Sequence, residues 1–119
     1  VYMSSMFKNS LSETIDLTSF DTSNVKYMSE MFSNSTTQEI KGLEKFNTSN
    51  VIRMNGMFSY SSISTLNLSS FDISKVENMK DMFYNAKATT GYAKDSKTAA
   101  KFNDSTITKI PSTLVFTTK

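Results

Sequence analysis

Cysteine, histidine and tryptophan are absent from the 119 residues, proline occurs once and glycine three times. Without cysteine there are no disulfide staples and no thiolate metal sites. Without histidine as well, the usual nucleophile–base pairs and most zinc or copper sites are excluded, and no cofactor is expected. The 13 basic and 11 acidic residues leave a formal net charge of +2. No block of lysine or arginine is dense enough to follow a phosphate backbone, so nucleic acid is not an expected partner. No apolar run approaches the roughly 18 residues of a membrane span, and membrane insertion is not expected. What remains is a polar surface of Ser, Thr and Asn, uncharged and rich in hydrogen-bonding groups. The length suits one domain with a modest core.

The positive signal is repetition. Residues 25–32, 51–58 and 76–83 share the template Val-x-x-Met-x-x-Met-Phe, and residues 1–7 match it with one residue fewer. The copies recur at intervals of about 25 residues. Between them lies a second shared stretch, at residues 15–24, 40–50 and 66–75, of which the middle copy carries one extra residue. The template's apolar residues fall at i, i+3, i+6 and i+7, which predicts a short helix with one buried face. Asp-Thr-Ser-Asn and its relatives, just before each template, are read as helix N-caps. Ile15 and Leu17, like Leu66 and Leu68, alternate with polar residues and predict half-buried strands. Phe20, Phe46 and Phe71 are expected to point inward from the intervening turn.

Neither a lone short helix nor a lone strand is stable, so the units must stack. The fold expected is therefore an α/β solenoid, with one short parallel strand and one short helix per repeat. Methionine at such regular spacing is read as core filling. After Phe83 the template is lost. Residues 84–91 read as a turn, 92–103 as a helix, 104–111 as a connection and 114–118 as a last strand. Tandem repeats are thus assigned to residues 1–83 and a divergent capping unit to 84–119. Val1 stands inside a motif with no signal peptide before it, so the chain is read as the C-terminal piece of a longer protein. Val1, Met3, Met6 and Phe7 are expected to be partly uncovered, which favours weak end-to-end self-association or a frayed start.

The motif from Phe20 to Phe32, Phe-Asp-Thr-Ser-Asn-Val-x-x-Met-x-x-Met-Phe, resembles the signature of the BspA-like leucine-rich repeats. The copy from Phe46 to Phe58 matches with Asn47 for Asp, and that from Phe71 to Phe83 with Ile73 and Lys75 at variable places. The stretch from Gly91 to Asn103, followed by Pro111 to Phe116, is similar to the ending of such arrays. The resemblance implies a leucine-rich-repeat-like solenoid in a secreted or cell-wall-attached bacterial surface protein engaged in adhesion. It supplies no catalytic residues. Phe20, Val25, Met28, Met31 and Phe32 are core and capping positions.

Outward strand residues of such a solenoid form a regular exposed strip. Here these are Thr14, Asp16, Thr18, Glu39, Lys41, Thr65, Asn67 and Ser69, the candidate ligand-contact face. The strip lacks the Trp, Tyr and Arg that dominate protein hot spots. Recognition of a host or matrix protein or glycan is the first functional expectation, with weak or multivalent contact. Tyr60, Tyr84 and Tyr92 offer ring faces to a sugar, or pack on a neighbouring unit. A spacer holding another domain away from the cell envelope is the alternative. An enzyme is not expected, because Asp21 and Asp72 recur in register as capping residues do, whereas catalytic pairs occur once. A calcium ladder through Asp21, Asn47 and Asp72 lacks the Gly-rich Asp-x-Asp loop that cages the ion. The Asn-x-Ser/Thr sequons at Asn34, Asn47, Asn67 and Asn103 carry no meaning in so Asn- and Ser-rich a chain.

Overall fold

The structure, a computed structural model, describes residues 2–118. Its regular elements are short: strands β1 (Thr14–Asp16), β2 (Glu39–Lys41), β3 (Thr65–Leu68), β4 (Thr90–Ala93) and β5 (Phe116–Thr118), and helices α1 (Ser96–Phe102) and α2 (Ser105–Thr108). A 3-10 turn spans Leu43–Lys45. Every pair of named strands is parallel. The chain is of the α/β class, with Ile15, Leu17, Ile40, Leu66, Leu68 and Ala93 buried and the residues between them turned outward.

The strands form two sheets, β1-β2 and β3-β4-β5, where a single one is expected from the sequence. The interruption coincides with the extra residue of the middle copy. One residue separates Ile15 from Leu17 and Leu66 from Leu68, but two separate Ile40 from Leu43. Gly42 absorbs the difference at φ 93°. A Cβ there would stand 2.9 Å from the Thr18 amide nitrogen, so both the conformation and the space require glycine.

The larger departure concerns the Val-x-x-Met-x-x-Met-Phe segments, which are successive tight turns and not helices. Met31 N–H donates to Met28 C=O at 3.4 Å, and Ser33 N–H to Glu30 C=O at 3.1 Å. The intervening N–H groups of Glu30, Phe32 and Asn34 donate across to the carbonyls of Asn55, Met57 and Ser59, each at 2.9 Å. Gly56, Phe58 and Tyr60 donate in the same way to Lys80, Met82 and Tyr84, and Ser5, Phe7 and Asn9 to Ser29, Met31 and Ser33. Spacing explains the preference. Packed helices stand about 8–10 Å apart, roughly twice the 4.7–4.9 Å between paired strands, so segments bonded at strand spacing have no room for full helices. The turns need left-handed residues, and Ser5, Asn9, Glu30, Asn34, Gly56, Tyr60, Asp81 and Asn85 all have positive φ.

The apolar template positions fill the core as expected. Val25, Met28, Met31, Phe32, Val51, Met54, Met57, Phe58, Met82 and Phe83 are buried, and Val76 and Met79 pack partly buried against them. Phe7, Phe32, Phe58 and Phe83 stack with centroids 5.5–6.1 Å apart. Phe46 and Phe71 are buried and stack at 6.1 Å. Phe20 is not inward: it is 44% exposed, at the edge of the stack. Met3 is buried although an uncovered position is expected, whereas Met6 is exposed and Phe7 half-buried. Val1 lies outside the described residues.

Buried threonines join neighbouring copies. Thr22 Oγ1 accepts from the Asn47 N–H at 2.8 Å and donates to the Asn47 C=O at 3.2 Å. Thr48 does the same with Asp72, both bonds being 2.8 Å. Ile73 holds the corresponding place in the last copy, where α1 follows in place of another copy's backbone, and an apolar residue satisfies it.

The C-terminal segment also departs from expectation. Residues 90–93 form β4, paired with β3, so Tyr92 lies on a strand and the helix begins only at Ser96. Asp95 caps it, accepting from Thr98 N–H at 2.8 Å. The expected connection contains α2, and the last strand is shortened to Phe116–Thr118. Carbonyls of α2, those of Ile107 and Thr108, accept the N–H groups of Asp81 and Phe83.

Candidate functional site

The eight candidate strand-face residues are outward, but they fall into two groups because the sheet is divided. Thr14, Asp16, Glu39 and Lys41 are exposed on β1 and β2, with Thr14 beside Glu39 and Asp16 beside Lys41. Thr65 and Asn67 lie on β3, beside Thr90 and Tyr92 of β4. Thr18 and Ser69 sit just past the ends of β1 and β3.

Several of these groups are already engaged. Asp16 Oδ1 accepts from the Thr18 hydroxyl at 2.7 Å and its N–H at 3.0 Å. Asn67 Oδ1 accepts from the Ser69 hydroxyl at 2.6 Å and its N–H at 3.2 Å. Such Asx turns end a strand by offering the backbone a local partner. The Thr18 hydroxyl, then the Thr18 N–H and Lys41, hold the Asp16 carboxyl below its ordinary pKa of 3.8.

Asp21, Asn47 and Asp72 follow the same rule one turn later. Their Oδ1 atoms accept from the N–H groups of Ser23, Ser49 and Ser74 at 2.9–3.0 Å. They cap tight turns, where helix caps are expected from the sequence. Hydrogen bonds from Ser23 and Ser74, hydroxyl first, keep the pKa of Asp21 and Asp72 low. Their carboxylates thus serve the backbone, and among the described residues no group of three or more Asp, Glu, His or Cys converges.

Tyr92 is the strand-face residue that sequence reasoning missed. It stands between Asn67 and Thr117 and brings an aromatic ring to a strip otherwise without one. The signal was the alternation Thr90, Gly91, Tyr92, Ala93, with small residues inward. Beyond the strand face, a groove of about 440 Å³ is lined by Asp72, Asp95, Lys94, Lys97 and Lys101 among others. Aromatic rings also recur on the turn segments, exposed at Tyr2, Tyr60 and Tyr84 and half-buried at Tyr27. Tyr2 and Tyr27 pack at 4.5 Å with Arg53 over the second ring, and Tyr60 meets Tyr84 edge to face at 5.4 Å. No helix among the described residues is long and apolar enough to cross a membrane.

The model of the protein family described as "Mycoplasma protein of unknown function, DUF285" matches residues 1–114. No curated protein matches the chain. No solved structure matches it either.

Proposed function

The chain belongs to this family of Mycoplasma proteins of unknown function, and we propose that it is a non-catalytic recognition module, a BspA-like leucine-rich-repeat solenoid displayed on the outer face of a bacterium. The observation that carries this reading is the backbone ladder, in which residues about 25 apart bond in register from Ser5 to Tyr84. Such a ladder fixes exposed side chains in columns, and a rigid array of repeated columns is what a solenoid offers a ligand. The recurring carboxylates are committed to their own turns, which favours binding over acid–base chemistry. The partner is a host or matrix protein or a glycan, met weakly and in many copies.

A spacer is the second reading. It is favoured by the self-satisfied pairs Asp16–Thr18 and Asn67–Ser69, which leave fewer free groups on the strand face. Against it, the chain measures 29 × 27 × 24 Å, so this length of stack adds little reach. Binding of the folded chain to arrays of matrix proteins and glycans separates the two. Saturable binding is expected; a folded chain that binds nothing on either array refutes recognition by this segment and leaves the spacer.

A further inference from the structure

Along the turn segments, Ser5, Glu30, Gly56 and Asp81 occupy equivalent left-handed positions in successive copies. Only Gly56 lacks a side chain. The gap it leaves is a groove of about 290 Å³, floored by Gly56 and walled by Glu30, Asn55, Lys80, Asp81 and Tyr84. A Cβ on Gly56 would already stand 3.1 Å from Glu30 Cγ, so a longer side chain there fills the space.

Tyr84 lines one end of the groove, and Tyr60, outside the lining, packs against it edge to face. Tyr60 and Tyr84 are 47% and 43% exposed, with ring planes at 88°. Tyr60 holds φ 58° at a position that is Asn9, Asn34 and Asn85 in the other copies. Asparagine tolerates that conformation, whereas a bulky tyrosine is strained in it. The strain kept at Tyr60 holds its ring against Tyr84 and so fixes the exposed ring that lines the groove.

The polar groups suit an uncharged ligand. Asn55 Oδ1 is taken by the Ser29 hydroxyl at 2.6 Å, leaving its amide N–H groups as donors. Glu30 Oε2 is paired with Lys8 at 2.9 Å, leaving Oε1 as an acceptor. Lys80 and Asp81 bring one charge of each sign. With Glu30 neutralised by Lys8 the charges balance, and donors and acceptors stand beside a ring suited to packing against C–H groups. A phosphate or polyanion would meet the Asp81 carboxylate as well as Lys80, and an apolar peptide anchor would find no deep pocket.

We propose that this groove binds a neutral sugar unit of a glycan chain, with Tyr84 as the stacking platform and Asn55, Lys80, Asp81 and Glu30 taking its hydroxyls. This rests on the recognition reading and gives it a location. The test is titration of the isotope-labelled chain with chitotriose, mannotriose and cellotriose, followed by amide chemical shifts. Shifts centred on residues 55–60 and 78–85 are expected for at least one saccharide. Tyr84→Ala and Gly56→Asn should each weaken that binding at least tenfold, the second because asparagine keeps the φ and fills the groove. Tyr84→Phe should retain it, as should Lys41→Ala on the strand face. Saccharide binding unchanged in both groove variants overturns the location and leaves recognition standing. Binding to matrix protein but to none of the sugars overturns the ligand class. No binding to either removes both readings at once.

Discussion

Thr48→Val tests whether buried hydroxyls, and not only apolar packing, join neighbouring copies. Valine matches threonine in shape, so no cavity opens. Thr48 is fully buried, and its hydroxyl both accepts from the Asp72 N–H and donates to the Asp72 C=O at 2.8 Å. Each buried group left without a partner costs about 1–3 kcal/mol. Asp72 is half-buried, so water recovers part of this and the lower half of the range applies to each group. The extra methyl returns roughly 0.8 kcal/mol of burial. The expected net loss is about 1.5–3 kcal/mol, a large share of the roughly 5–15 kcal/mol that holds a domain. Urea unfolding monitored by circular dichroism reads it directly, as a lower midpoint with unchanged slope. Hydrogen exchange at the Asp72 amide should quicken in parallel. Thr48→Ser keeps the hydroxyl and should lose only about 1 kcal/mol, from one methyl group. If Thr48→Val unfolds within about 0.5 kcal/mol of the parent, the clip contributes nothing and packing alone joins the copies.

The remaining predictions concern packing and acid. Phe58→Ala removes a fully buried ring stacked between Phe32 and Phe83 and should cost about 3–5 kcal/mol in urea unfolding. Phe20→Ala, at 44% exposure, should cost markedly less, and equal losses would mean that the family motif marks a core position there after all. Asp16, Asp21, Asp72 and Asp95 all have folded pKa values below the ordinary 3.8. Their contribution is therefore present above that value and is lost as pH falls through the lowered ones. Thermal melts should show the midpoint falling progressively below about pH 4, and Asp21→Asn with Asp72→Asn should flatten that fall, as Asn47 fills the same role without titrating. A parent midpoint that stays level into the acid range would remove these turns from the account of stability.

The inward set was legible because recurrence picks it out. Val25, Met28, Met31 and Phe32 reappear as Val51, Met54, Met57 and Phe58, and all eight are buried. The helices were misread because apolar residues three apart fit one face of a helix and also fit consecutive three-residue turns. Periodicity alone does not separate the two. The discriminating signal was the residues tolerant of positive φ, Asn9, Asn34, Gly56 and Asn85, set among the apolar ones. The strand face was identified, yet its chemistry was hidden, because only coordinates reveal that Asp16 and Asn67 spend their oxygens on the next turn. Tyr92 was lost to a helix because small alanines around it suit both a helix and the inner face of a tight sheet. The groove at Gly56 was invisible for a different reason: it is made by the one side chain that is missing from a column.

The turn ladder runs one way. From Met3 to Tyr60 each tight turn donates to the next higher-numbered copy, so these peptide dipoles add as they do along a helix. On either side of the turns, Ile52 and Glu77 donate back to Lys26 and Ile52, and Thr36 and Ser62 back to Ser10 and Ser35. An ordinary strand edge alternates donors with acceptors and can pair with another edge. On the first turn segment, Met6 and Lys8 spend their N–H groups on the carbonyls of Met3 and Ser5, and hold the places whose carbonyls accept in the later copies. Along these turns the edge offers carbonyls, and two such stretches brought face to face repel. The donors Asp81 and Phe83 of a second molecule are already covered by α2. Backbone pairing of a second molecule along these turns is thereby disfavoured, while the outer edges of β1 and β5 remain ordinary strand edges.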